Sequence, residues 1–306
     1  MLPNQNQKRR KPKNLHRNLD KFVAVYFAVA YTCYMKIYLC VDFEGMPGVN
    51  HWDEVSRSSG AQYEEFRRIV SWYTVGACEA ALSGGATEVW VADSHSSCCN
   101  IDIGVLPKGV KLVRGAECCD IQGMTPLLDK TFDGIAFLGF HSEQGSDANP
   151  LSHTLTLEID QIKINDSVVG EYEIHSLFAN YLGVPTIFVA GDDGLVTKVS
   201  KTSSAQTVSL LKGLGKATIL EKTLAEYREE VIDKMKLAVE SIKNKNPRPT
   251  VTPFAKGGIA LEIKYKKHTD AYKASFYPNT NKLDPKTVSV TCANYMEVMR
   301  AILFLL

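Results

Sequence analysis

Four short apolar runs in this chain end on an acid or a histidine. "KIYLCVDFEG" ends at Asp42 and Glu44, "TEVWVADSH" at His95, "FDGIAFLGFH" at His141 and "PTIFVAGDD" at Asp192 and Asp193. Apolar runs of this length read as strands covered on both faces, the pattern of a parallel sheet between helices. After the first run, "AQYEEFRRIVSWYTVGACEAALSGG" places Phe66, Ile69, Val70, Tyr73, Ala77 and Ala81 at helical spacing and stops at Gly84 and Gly85. The order strand, helix, strand predicts an α/β fold with a largely parallel sheet flanked by helices.

Further along, "LTLEIDQIKIND" alternates like one arm of a hairpin that turns at Asn165 and Asp166, and "EYEIHSLFANYLG" reads as a helix. Residues 220–244 form a charged amphipathic helix with Leu224, Val231, Met235, Ala238 and Ile242 on one stripe. "NPRPTVTP" is a stiff connector, followed by the alternating "GGIALEIKY", by "KTVSVTCANY" and by the apolar helix "MEVMRAILFLL". The expected organisation is an extension over residues 1–34, a catalytic α/β domain over 35–249, and a smaller carboxyl-terminal α+β portion over 250–306. That last portion is a candidate oligomer interface.

With 35 basic and 34 acidic residues in 306, the net charge of +1 gives no electrostatic footprint for nucleic acid. Residues 1–34 join a basic polar stretch to 13 mostly apolar residues, "FVAVYFAVAYTCY", too few for the roughly 20 that cross a bilayer. The layout is that of a signal-like segment or of translation from a mis-assigned start, so export stays open. The eight cysteines form no C-x-x-C motif, and a disulfide framework belongs to much smaller domains. They are expected to be reduced, in a cytoplasmic protein. Cys98 and Cys99 as metal ligands beside His95 would be the alternative, without a second thiol pair at zinc-finger spacing.

In open α/β sheets, side chains just beyond the carboxyl ends of parallel strands converge on one crevice. Asp42, Glu44, His95 and His141 occupy such positions, and Glu171 in "INDSVVGEYEIH" stands at a helix start, where a carboxylate also suits the helix dipole. Two histidines and three carboxylates without thiolate suit Zn²⁺, Mn²⁺ or Co²⁺ and suffice for two ions sharing a carboxylate, with Asp42 the candidate bridge. His153, across the loop "SEQGSDANPLS", is placed to move protons, steady an oxyanion or attack directly. Asp192 and Asp193 are candidate contacts for a substrate amine, unless they cap the turn that follows. His175, four residues after Glu171, is a spare ligand or a satisfied helical histidine. His16, His51 and His268 have no supporting context.

"MKIYLCVDFEGMPGV", "VADSHS", "LGFHS", "LSHT", "INDSVVGE" and "VPTIFVAGDD" come in the order and near the spacing of the D-aminopeptidase family, the dipeptide-operon type of di-zinc metallopeptidase. The resemblance covers residues 35–306 and is strongest over 35–195. It implies that Asp42, Glu44, His95, His141 and Glu171 bind two zinc ions and that His153 is the catalytic histidine. It also implies a self-compartmentalising ring of ten subunits and a natural start at Met35. The chain departs from the family pattern between His141 and His153, where the loop is one residue longer and carries Glu143 and Asp147. A substrate wall with those charges would repel free carboxylates.

The expected activity is removal of the amino-terminal residue from short peptides, D-Ala-D-Ala among them. The alternatives are a di-metal amidase or phosphoesterase on another small substrate, for which Arg114 is the one candidate clamp, and a non-catalytic assembly protein stabilised by metal.

Overall fold

A computed structural model describes residues 34–115, 120–243 and 258–306. The amino-terminal extension and the proline-rich connector therefore lie outside the described residues, as do Cys33, Cys118 and Cys119. In chain order the elements are β1 (Lys36–Val41), α1 (Trp52–Val55), α2 (Ala61–Gly84), β2 (Glu88–Asp93), β3 (Val110–Val113) and β4 (Gly134–Phe140). Then come β5 (Ile159–Ile164), β6 (Ser167–Val168), α3 (Glu171–Tyr181), β7 (Thr186–Asp192), α4 (Asp193–Thr202), β8 (Gln206–Leu214) and β9 (Ala217–Ile219). The chain continues through α5 (Leu224–Lys243), β10 (Ile259–Tyr265), α6 (His268–Ala274), β11 (Thr280–Lys282), β12 (Thr287–Cys292) and α7 (Tyr295–Leu305). The helices α1, α4 and α6 and the strands β8, β9 and β11 are additions to the elements that the sequence pattern predicts.

One sheet has the order β3-β2-β1-β4-β7-β8-β9, parallel throughout except for the hairpin β8–β9. Strand β1 shows why its sequence is apolar at every position. Ile37, Leu39 and Val41 pack with the inner stripes of α2 and α5, while Tyr38 and Cys40 face the opposite layer with α3, α7 and the second sheet. A strand buried on both sides has no solvent face to mark with polar residues.

The second sheet is antiparallel, in the order β11-β12-β10-β5-β6. The hairpin β5–β6 turns at Asn165 and Asp166, both with left-handed φ of 48° and 66°. Strand β10 pairs with β5, Glu262 opposite Lys163 and Ile263 opposite Ile162, so the sheet begun after residue 250 is completed by strands from the middle of the chain.

The parallel sheet reverses its winding at β1. The chain moves from β1 to β2 and β3 on one side, then returns to lay β4 and β7 on the other. Crevices for ligands open at such a switch point, beyond the carboxyl ends of the strands. Here the backbones come unusually close. Asp42 N–H donates to Leu138 O at 2.8 Å and Gly45 N–H to Gly139 O at 2.8 Å. Gly139 has φ of 78°, and a Cβ there would stand 2.1 Å from the Asp42 carbonyl oxygen.

Gly139→Ala therefore meets both a disfavoured backbone conformation and a clash with main chain that cannot give way. It should cost about 2–4 kcal/mol of stability. Urea unfolding of the variant checks this, and an unchanged midpoint would contradict the close approach of β1 and β4.

Candidate metal centre

Each side chain of the centre is delivered by the end of an element. Asp42 follows β1 directly, and Glu44 stands in the turn after it. His95 lies two residues beyond β2, His141 one beyond β4, and Glu171 is the first residue of α3. Phe43, between the two acids, points into the α2 side of the core and stacks on the His95 ring, centroids 4.7 Å apart and planes 9° apart. The period of two set by β1 thus carries past its last residue and leaves Asp42 and Glu44 together on the other face.

Two groups form. Asp42, Glu44 and His95 make one, and His141, His153 and Glu171 the other, each with ligand atoms within 4.8 Å of one another. His95 Nδ1 is 3.2 Å from Asp42 Oδ1 and 3.1 Å from Glu44 Oε2. His141 Nε2 is 3.6 Å from Asp42 Oδ2 and 3.4 Å from Glu171 Oε2, and His153 Nε2 is 3.4 Å from Glu171 Oε1. Asp42 therefore turns one oxygen to each group.

The far nitrogen of every imidazole is tied to a backbone carbonyl. His95 Nε2 reaches Val55 O at 2.8 Å, His141 Nδ1 reaches Ser142 O at 2.9 Å and His153 Nδ1 reaches Leu151 O at 3.0 Å. A carbonyl only accepts, so the N–H sits on that side, and once the imidazole is neutral the other nitrogen presents a lone pair to the carboxylates. Lone pairs facing carboxylates repel unless a cation lies between them. Asp42 Oδ2, Glu44 Oε2 and His141 Nε2 are buried and make no hydrogen bond. That convergence of orphaned acceptors is what a divalent cation satisfies, and the nitrogen–oxygen donor set without thiolate fits zinc.

The electrostatics agree. Burial and the neighbouring Glu44 charge push the Asp42 carboxyl up, to about 7. Burial would raise Glu44 too, but the His95 ring outweighs it and holds that carboxyl well below the usual range. Burial opposes charge on His95 and His141, yet Glu44 and Asp42 around the first and Glu171 around the second raise both well above an ordinary histidine.

Supporting bonds fix the loops. Asp93 accepts from Asn100 N, Asn100 Nδ2 and Ile101 N, and Asn100 Nδ2 also donates to His95 O at 2.6 Å. Asn149 Nδ2 donates to Glu44 O at 2.8 Å, pinning the loop that leads to His153. The His141 and His153 rings stack at 4.5 Å, and Trp52 packs edge-on to His153 at 5.3 Å.

A cavity of about 530 Å³ opens onto Asp42, Glu44, His95, His153 and Glu171. Asp192 and Asp193, the candidate contacts for a substrate amine, are not among the residues that line it, and Asp192 takes the alternative role of a cap. Asp192 is fully buried and accepts from Ser142 N and Ser142 Oγ, both at 2.6 Å, and from Leu195 N at 2.8 Å as the cap of α4. It positions the residue whose carbonyl holds His141. Asp193 is exposed, with Ser209 Oγ at 3.4 Å.

His175 is the satisfied helical histidine, with Nδ1 on Glu171 O at 2.7 Å and Nε2 accepting from Met124 N at 3.0 Å. Glu143 pairs with Lys198 at 3.4 Å and Asp147 is exposed, so neither forms the charged substrate wall expected of that loop. Arg114 is exposed and lies off the cavity. The sequence reading missed the wall that α7 contributes. Its signal was a helix apolar on more than one face, more than packing against a single layer requires.

A parallel α/β sheet carrying a carboxylate–imidazole cluster at its switch point defines a metal-dependent hydrolase. The family model of the D-aminopeptidases matches residues 35–304, and the chain belongs to that family. It is 28% identical over 274 residues to a D-aminopeptidase of Bacillus subtilis (strain 168), covering 88% of this chain and 96% of the relative. It also superposes with a TM-score of 0.81 on the zinc-dependent D-aminopeptidase DppA from Bacillus subtilis, a self-compartmentalizing protease. That match has 27% identity and covers 89% of this chain and 96% of that one.

Metal uptake must displace protons from this cluster. Because the Asp42 carboxyl is raised to about 7, apparent zinc affinity should fall as pH drops through that value, with proton release on binding. Calorimetric titration in buffers of different ionisation enthalpy checks it, and pH-independent binding without proton release would contradict it.

Proposed function

We propose that this chain is a zinc aminopeptidase that removes the amino-terminal residue from short peptides of D-residues, D-Ala-D-Ala among them. The observation that carries the reading is the pair of carboxylate–imidazole groups sharing Asp42 at the floor of the cavity. The zinc dependence of the matched relative supports zinc as the metal, and the two ligand groups support two ions per subunit. The ligands we assign are Asp42, Glu44, His95, His141 and Glu171, with His153 the catalytic histidine.

Zinc bound there supplies what peptide hydrolysis at neutral pH needs, an acidified water and a polarised scissile carbonyl. The chain does the rest. Asp42, Glu44 and Glu171 hold the metal where the free, neutral α-amine of a peptide can join as a further ligand, so the site reads chain ends. His153, half-buried at the cavity wall, keeps its Nδ1 proton on Leu151 O, which leaves Nε2 to take a proton from the attacking water and return it to the departing amine. Trp52 and Phe43 hold the rings of His153 and His95 and keep bulk water from them.

Among the described residues the cavity is lined by no Lys or Arg, which favours peptide over phosphoester chemistry. The self-compartmentalizing habit of the structural relative supports a ring-shaped homo-oligomer, and we take ten subunits as its size. Among the described residues no helix is long and apolar enough to cross a membrane. Among the described cysteines, Cys40, Cys78, Cys99 and Cys292 are free thiols, which supports a reducing, cytoplasmic setting.

His153→Ala tests the assignment against a purely structural metal site. Hydrolysis of D-Ala-D-Ala should fall about 10²–10⁴-fold with both zinc ions retained. Loss of one zinc would instead make His153 a ligand, and unchanged turnover would remove it from the chemistry.

A further inference from the structure

The cavity beside the metal centre is far larger than an alanyl side chain requires. Its volume of about 530 Å³ falls within the roughly 300–1,000 Å³ of small-molecule sites. Away from the metal-binding floor one side of its wall is apolar, built from Met124, Leu155, Leu157, Met299, Ile302 and Leu303, while Ser56, Ser94, Ser96 and Thr156 line it elsewhere. Three of the apolar residues come from α7, the other three from the loops after β3 and β4. The ionisable side chains outside the metal cluster are Asp120, Cys98 and the neutral, twice-bonded His175, so no cationic side chain balances a carboxylate placed there.

Resting on the aminopeptidase reading, we propose that this wall is the specificity pocket for the amino-terminal residue and selects a bulky, neutral, apolar side chain. If the α-amine and the scissile carbonyl are both held at the floor, the side chain between them is one bond from the same point and must project into the surrounding space. An alanyl methyl leaves most of that space unfilled and the apolar wall in contact with water. A leucyl or phenylalanyl group removes both from water. A glutamyl group would bring a carboxylate beside Asp120 and against apolar side chains with no cationic side chain to pair it, so it is rejected.

The test is kcat/KM for Xaa-Ala dipeptides with Xaa as Ala, Leu, Phe or Glu, in D and L series, using the zinc-loaded full chain. Leu over Ala should be at least about tenfold, and Glu should fall below Ala. Leu303 is only half-buried, and Leu303→Ala should lower the Leu/Ala ratio by at least about fivefold, a smaller step than the full preference. Leu303→Lys should raise Glu relative to Leu. Should either variant fold poorly by thermal midpoint and zinc content, Leu157→Ala, at an exposed position, makes the same measurement.

A wild-type preference for Ala, or ratios unmoved by the variants that fold, would overturn the pocket while leaving the aminopeptidase reading intact. No zinc-dependent hydrolysis of any member of the series would overturn both.

Discussion

Three carboxylates, Asp42, Glu44 and Glu171, are each less than 5% exposed and face one another across three imidazoles. Among the described residues no Lys or Arg pairs with them. Taking one carboxylate out of water costs several kcal/mol even after relaxation, and unpaired like charges add to that. Protons on His95, His141 and Asp42 offset part of it in the metal-free chain, and a divalent cation offsets it in place of those protons. The fold tolerates an arrangement that is unfavourable for stability, which is the expected mark of a functional site rather than of a packing solution.

The parallel sheet makes the arrangement possible. Because β1 has β2 on one side and β4 on the other, the three strand ends bring Asp42, Glu44, His95 and His141 to one crevice from three separate stretches of sequence, and the start of α3 adds Glu171. The close approach of Gly139 to the Asp42 carbonyl sets the depth at which His141 meets Asp42. Below the sheet ends both core layers are apolar, and Asp42, Glu44, His95, His141 and Glu171 each stand at or within three residues of an element that this packing fixes. His153 is the exception, carried by a loop that Asn149 fastens to Glu44.

Much of this was legible in the sequence, for a physical reason. Apolar runs that stop on Asp or His expose both the strand and what it carries, so β1, β2, β4 and β7 could be placed, and with them Asp42, His95 and His141. Glu171 was legible as a helix start, though its dipole role and its role in the cluster give the same sequence. The pairing of β10 with β5 was not legible, because antiparallel register between segments about a hundred residues apart leaves no local signal. Nor was the difference between Asp192 as a substrate contact and as a cap, since "AGDD" fits both until Ser142 is seen to occupy its oxygens. The cavity wall of α7 required knowing which of its faces the core leaves uncovered.

The central claim is that Asp42 is shared by two metal ions. Anomalous diffraction at the zinc edge from zinc-loaded crystals tests it most directly. Two peaks per subunit, one on each side of the Asp42 carboxylate, are the predicted result. A single peak, or two peaks of which only one touches Asp42, would contradict it.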